Sequence, residues 1–127
     1  PAMEAVRVTH EGRQVVQSYG GGGFVVSGTR YGGSILVFPE RTLDWSVTSA
    51  SGVVGSVLDP VMAPDAAIDL LLVGLGSAGG VVDKELRDRL KAARVAIETM
   101  STAAACRTYN VLLGEQRRVV AALIAVD

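Results

Sequence analysis

The second half of the chain alternates between strand-like and helix-like spacing of its apolar residues. Residues 70–73 and 119–126 are continuously apolar, as strands covered on both faces tend to be. Strands that alternate with helices pair in parallel through crossovers, so we expect 70–73, 95–98 and 119–126 in one sheet, with the first two parallel. The full pattern predicts a strand at 69–73, a helix at 83–93, a strand at 95–99, a helix at 102–113 and a strand at 117–126.

The first half has no sustained helical period and carries short β-rich runs instead. Tyr31-Gly32-Gly33 lies between two of them and predicts a hairpin turn, since glycine adopts the positive φ that tight turns require. We expect an α/β fold in a single domain over residues 1–127, with 1–12 as an N-terminal tail. An antiparallel β layer is followed by a strand-helix-strand-helix-strand unit with a partly parallel sheet. Glycines and Pro39 separate the β-rich runs at 14–19, 24–30, 34–38 and 42–47.

Composition narrows the possible functions. Of the 127 residues, 49% are hydrophobic and 20% are charged, which is typical of a folded chain. The formal net charge is −1, and because nucleic-acid binding needs a basic excess or a basic face, no nucleic-acid partner is expected. The longest apolar run is far shorter than the ~20 residues that span a bilayer, so no membrane insertion is expected. We expect a location in the bacterial cytoplasm, or in the mitochondrion if a leader has been removed.

Cys106 is the one cysteine and His10 the one histidine, so a His/Cys zinc site cannot be built and no metal is expected. Cys106 lies near the start of its predicted helix beside Arg107, and both features lower the pKa of a thiol. A catalytic cysteine also needs a base, and His10 lies in the N-terminal tail. The small residues at 103–105 favour a buried, unreactive thiol, so no catalytic residue is predicted.

The helix predicted at 102–113 is apolar around most of its circumference, which is typical of a helix buried by more than one layer. Only Arg107 and Asn110, three residues apart, form a polar wedge. We expect their partners in the turn at 74–80 or in the loop after Pro39. A structural Arg107 predicts that Arg107→Ala lowers stability by ~1 to 3 kcal/mol, whereas a ligand or partner anchor predicts little change. We favour the structural role.

Glycines directly after the first buried strand match a dinucleotide-binding pattern. In such sites the later glycines lie in the first turn of the helix, whose N-terminus meets the pyrophosphate. Here the helix is expected to start only after Asp83 as its N-cap. We therefore predict a loop at 74–80, no NAD binding and no cofactor. The matching run is Gly74-Leu75-Gly76-Ser77-Ala78-Gly79, with Glu98 further along at the position of a ribose-binding acid.

Residues 98–112 have the sequence ETMSTAAACRTYNVL. This segment, with further matches along nearly the whole chain, closely resembles the family of small uncharacterised proteins that includes the mitochondrial respiratory complex I assembly factor three. The resemblance implies a single α/β domain. For function it implies a non-catalytic, chaperone-like factor that assembles a membrane respiratory complex, while the bacterial relatives have no established reaction.

Two functions follow as hypotheses. The first is a non-catalytic protein-binding or assembly factor whose partners are respiratory-complex subunits or a second assembly factor. The second is a small-molecule or anion binder, or an enzyme, using a cleft between residues 74–80 and the helix that carries Cys106, Arg107 and Asn110, because ligands of open α/β sheets bind beyond the carboxyl ends of the strands. The candidate ligand- or partner-binding residues are Gly74, Gly76, Cys106, Arg107 and Asn110.

Overall fold

A computed structural model describes residues 13–127, and the predicted tail at 1–12 lies outside the described residues. The strands are β1 (Val16–Gly20), β2 (Gly23–Val26), β3 (Thr29–Gly32), β4 (Ile35–Val37), β5 (Thr42–Asp44), β6 (Leu70–Gly74), β7 (Ala96–Met100) and β8 (Val119–Leu123). The α-helices are α1 (Asp59–Met62), α2 (Lys84–Ala92) and α3 (Thr102–Gly114).

The strands form two sheets. A three-stranded sheet has the order β1-β2-β3, and a five-stranded sheet has the order β5-β4-β8-β6-β7. Strand β6 pairs in parallel with both β7 and β8, while β4 pairs antiparallel with β8 and β5. The predicted α/β class, with an antiparallel layer and a partly parallel sheet, is therefore confirmed.

The antiparallel strands of the first half are divided between the two sheets, which the sequence did not predict. The run 24–30 is not one strand, because Ser27 (φ 43°) and Gly28 (φ 86°) form the turn of a hairpin between β2 and β3. The hairpin predicted at Tyr31-Gly32-Gly33 is wrong. Tyr31 and Gly32 belong to β3, and Gly33 (φ 115°) turns the chain away into the five-stranded sheet.

The five-stranded sheet is covered on both faces, which explains its continuously apolar strands. Helix α2 packs on one face through Leu86 and Leu90, together with the segment 49–66. Helix α3 and the three-stranded sheet cover the other face, where Tyr109 and Phe24 are buried. The two crossover helices therefore lie on opposite faces, and each of the two cores has the five-stranded sheet as one wall.

Local signals located α2 correctly. The carboxylate of Asp83 accepts a hydrogen bond from the amide of Leu86 at 3.2 Å, so Asp83 is the N-cap and the glycines before it form a loop. Helix α3 is less enclosed than predicted. Its inner face is buried, but Arg107 is exposed and Val111 is 60% exposed, because no layer formed by residues 13–127 covers its outer side.

Candidate functional site

Thr102, at the first position of α3, connects the ends of three structural segments. Its side chain is fully buried, and its Oγ1 donates a hydrogen bond to the carbonyl of Ile124 at 2.7 Å. The same Oγ1 accepts one from the amide of Gly76 at 3.0 Å, and the amide of Thr102 donates to the carbonyl of Gly76 at 2.9 Å. Strand β6, helix α3 and the segment after β8 are therefore held in one arrangement.

A cleft of about 660 Å³ opens beside this point, at the carboxyl ends of β6, β7 and β8. The chain leaves β6 toward α2 on one face of the sheet and leaves β7 toward α3 on the other. Such a divergence between neighbouring strands creates the crevice in which α/β proteins hold ligands. The cleft is lined by residues 48–50, 75–78 and 124–127, with Tyr19, Ser101 and Ala103.

The structure brings only part of the predicted site together. Gly76 lines the cleft, and Gly74 lies at the end of β6 against the backbone of Thr102. Cys106, Arg107 and Asn110 do not line it. The cleft lies between residues 75–78 and the first turn of α3, the helix that carries these three side chains. A binding role for the five candidate residues stays a prediction.

Asn110 connects α3 to the three-stranded sheet. Its Oδ1 accepts a hydrogen bond from the amide of Val16 at 3.0 Å, and its Nδ2 donates to the carbonyl of Val16 at 2.8 Å. The predicted partners at 74–80 and after Pro39 are therefore wrong for this residue. Arg107 is exposed, and no hydrogen bond or ion pair of its side chain occurs within residues 13–127. The two members of the polar wedge thus have different surroundings.

The glycine-rich loop does not form the arrangement of a dinucleotide site. Residues 75–83 are irregular, and the helix that follows them begins at Lys84, beyond the glycines. The helix N-terminus at the cleft belongs instead to α3, where the hydroxyl of Ser101 accepts a hydrogen bond from the amide of Ala104 at 3.2 Å. The loop predicted at 74–80 is confirmed for residues 75–80, while Gly74 is the last residue of β6. The absence of NAD binding stays a prediction.

Cys106 is 3% exposed. Burial raises the pKa of its thiol from 9.0 to about 12, although the nearby charge of Arg107 acts in the opposite direction. The thiol is therefore protonated at neutral pH and is a poor nucleophile. The expected buried thiol is found, and desolvation outweighs the two features that suggested activation.

Metal-binding clusters and membrane-spanning helices are both absent from residues 13–127. No group of three or more His, Cys, Asp or Glu side chains in this range is arranged to hold a metal ion. No helix in the same range is both long and apolar enough to cross a bilayer.

The sequence profile of a family described as "Protein of unknown function (DUF498/DUF598)" matches residues 16–124. The chain belongs to the DUF498/DUF598 family. The matched region extends from β1 to just past β8, so it includes both sheets, Thr102 and the lining of the cleft apart from residues 125–127.

Proteins similar to this DUF498/DUF598 chain come from bacteria and from animals. An uncharacterised protein of Rhodobacter capsulatus is 38% identical over 109 residues, which cover 86% of this chain and 82% of the relative. The NADH dehydrogenase (ubiquinone) 1 alpha subcomplex assembly factor 3 of Xenopus tropicalis is 31% identical over 109 residues, 86% of this chain, and the match spans 60% of the relative's length. A solved structure described as an outer membrane protein from Bartonella henselae has a TM-score of 0.82 at 36% identity, over 91% of this chain and 98% of that one.

Several residues that line the cleft of the DUF498/DUF598 chain were missed by sequence reasoning. They include Ser77, three residues after the end of β6, Ser101, directly after β7, and Tyr19 from the three-stranded sheet. The first two carried a usable signal, since the carboxyl ends of neighbouring parallel strands lie at the same edge of a sheet. Tyr19 carried no such signal, because its position at the cleft depends on how the two sheets pack.

The buried thiol predicts a loss of stability at alkaline pH. Between pH 9.0 and about 12, Cys106 ionises in the unfolded chain but stays protonated in the folded one. The stabilisation is complete below pH 9.0, and the free energy of unfolding then falls by about 1.4 kcal/mol per pH unit. Urea unfolding of Cys106→Ala should show a shallower decline over this range than the parent. Equal slopes for the two proteins would contradict the prediction.

The different surroundings of the two wedge residues predict different effects of substitution. Arg107→Ala should change the free energy of unfolding by less than about 0.5 kcal/mol, as for most exposed positions, in place of the larger loss expected from the sequence. Asn110→Ala should lower it by roughly 1 to 3 kcal/mol, since both backbone groups of Val16 lose their partner. Urea unfolding of the two variants beside the parent measures both. Equal losses for the two variants would contradict this assignment.

Proposed function

We propose that this protein is a non-catalytic assembly factor that binds protein partners during the assembly of respiratory complex I. The supporting observation is its 31% identity to the Xenopus tropicalis assembly factor over 109 residues, a stretch nearly as long as the described fold. We place the protein in the bacterial cytoplasm, with complex I subunits or a second assembly factor as its partners.

The chemistry of the described residues supports a binding role over a catalytic one. Cys106, the strongest nucleophile candidate, is buried, and burial raises the pKa of its thiol to about 12. Tyr109 is also buried, and desolvation raises the pKa of its hydroxyl. That hydroxyl donates a hydrogen bond to the carbonyl of Gln14 at 2.8 Å, which is a structural use. Both groups contribute to packing between the sheets and α3.

Deletion of the gene in its native host tests this proposal. We expect less assembled complex I on native gels, measured by its NADH dehydrogenase activity, and recovery when the gene is returned on a plasmid. A control plasmid should carry a variant whose folding has been destroyed. Undiminished complex I in the deletion strain would refute the assembly role.

A second candidate function is supported by the cleft alone. Its volume, about 660 Å³, suits a small molecule, and the N-terminus of α3 offers a site for an anion. If the cleft binds inorganic phosphate or NAD, titration should shift the amide resonances of Gly76, Ser77 and Ser101 and leave that of Arg107 unmoved. Unchanged spectra with both probes at millimolar concentration would exclude them as ligands.

A further inference from the structure

Strand β7 forms one edge of the five-stranded sheet, with β6 as its neighbour. The amide of Ala96 donates to the carbonyl of Asp69, and the carbonyl of Met100 accepts from the amide of Leu75. The backbone amides and carbonyls of the even-numbered residues of β7 therefore point toward β6. The amides and carbonyls of Ile97 and Thr99 therefore point outward. Among residues 13–127 they have no backbone partner. This edge can accept another strand.

A groove of about 500 Å³ runs along this edge between β7 and α2. Its floor is apolar and includes Val95 and Ile97. Three exposed cations line it, at positions that follow one another by four and three residues: Arg87, Lys91 and Arg94. The groove is therefore positively charged although the whole chain is close to neutral.

The one acidic side chain of the groove does not neutralise it. Asp88 forms an ion pair with Lys84 at 2.8 Å, and the hydrogen bond from Lys84 lowers the pKa of its carboxyl, with smaller contributions from Arg87 and Lys91. Arg87 donates its Nε to the carbonyl of Val82, and no ion pair of Arg87, Lys91 or Arg94 occurs within the described range. These three charges remain available to an acidic ligand.

We propose that the edge of β7 binds an extended acidic segment of a protein partner, which adds a strand to the sheet and places its carboxylates beside Lys91 and Arg94. This inference rests on the proposed assembly role and names the surface and the chemistry of the partner. The backbone of Ile97 and Thr99 supplies hydrogen bonds, and the cations select acidic side chains on the α2 face.

Charge also argues against a second copy of this chain as the occupant. In an antiparallel pairing of two β7 strands centred on Glu98, that residue would face its own copy, and the two basic grooves would lie side by side. Like charges placed opposite each other destabilise a strand pair. An acidic partner strand removes the repulsion in the groove.

The proposal is tested by titrating the isotope-labelled protein with a capped ten-residue peptide that alternates glutamate and threonine. We expect the amide resonances of Ile97 and Thr99 to shift at low salt, and a peptide alternating lysine and threonine to have no effect. Thr99→Pro removes an outward amide and should therefore abolish binding. The variant should still fold, since proline is tolerated at a strand edge. No shift with the acidic peptide, or equal shifts with both peptides, would overturn the proposal.

Two further variants separate charge from folding. Arg94 adopts the left-handed conformation (φ 62°) at the end of α2, so Arg94→Gly removes a cation while favouring the native backbone. It should weaken binding by about two- to fivefold without lowering thermal stability, and Lys91→Glu should weaken it by roughly tenfold. Arg30→Glu, an equal charge change on β3, serves as the control and should leave binding unchanged. If Arg30→Glu weakens binding as much as Lys91→Glu, the selectivity of the groove is refuted.

These results are independent of the deletion experiment. A missing peptide shift beside a loss of complex I on deletion would refute the β7 site and leave the assembly role standing. Peptide binding together with undiminished complex I in the deletion strain would support the β7 site and refute the assembly role. Concentration-dependent dimers that Thr99→Pro abolishes would identify a second copy as the occupant and overturn the acidic segment.

Discussion

Replacing Gly74 with alanine is expected to lower the free energy of unfolding by about 3 kcal/mol, near the upper end for a methyl group forced into a packed interior. A Cβ at this position would lie 2.8 Å from the Cα of Thr102 and 3.2 Å from side-chain atoms of Ala105 and Leu123. The closest atom belongs to the backbone of α3, so the helix itself must shift. Urea or thermal unfolding measures the loss.

The matched control for Gly74→Ala is Gly32→Ala. Gly32 also lies in a strand, but a Cβ there meets no atom within 4 Å and its φ is compatible with alanine. This substitution should be close to neutral. If both variants lose the same stability, the close approach of β6 to α3 is not the cause. The glycine at the end of β6 is thus explained by packing against the first turn of α3.

Replacing Thr102 with valine should have an effect of similar size, about 3 kcal/mol, with little change in shape. The substitution leaves two backbone groups without their partner, the part-buried amide of Gly76 and the buried carbonyl of Ile124. Each unsatisfied buried group costs roughly 1 to 3 kcal/mol. Urea unfolding measures the total, and amide exchange at Gly76 should accelerate in the variant.

Thr102→Ser tests whether the hydroxyl or the methyl group is responsible. Serine keeps both hydrogen bonds and loses one methyl group, which is worth about 1 kcal/mol when buried. We therefore expect Thr102→Ser to be clearly more stable than Thr102→Val. The reverse order would show that packing rather than hydrogen bonding makes this position important. Because Gly76 lines the cleft, Thr102→Val should also perturb amide resonances there.

The order of strands and helices in the second half was predictable because it is encoded by neighbouring residues. Continuous apolar runs predicted β6 and β8, and Asp83 predicted the start of α2. The parallel pairing of β6 with β7 followed from the intervening helix. These features depend on periodicity, capping and connection length, all of which act over a few residues along the chain.

Only the tertiary structure decided how the first half of the chain packs against the second half. The chain turns at Gly33, so β4 and β5 belong to the larger sheet. Val16 lies against Asn110, and Arg107 is exposed. The sequence pattern of the polar wedge on α3 is compatible with either neighbour, the loop at 74–80 or the three-stranded sheet. Such contacts join residues that are distant in sequence, for example Val16 and Asn110, which are 94 positions apart, and no local pattern encodes them. The outward backbone of β7 is likewise set by sheet order, because an edge strand is defined by the neighbour it lacks.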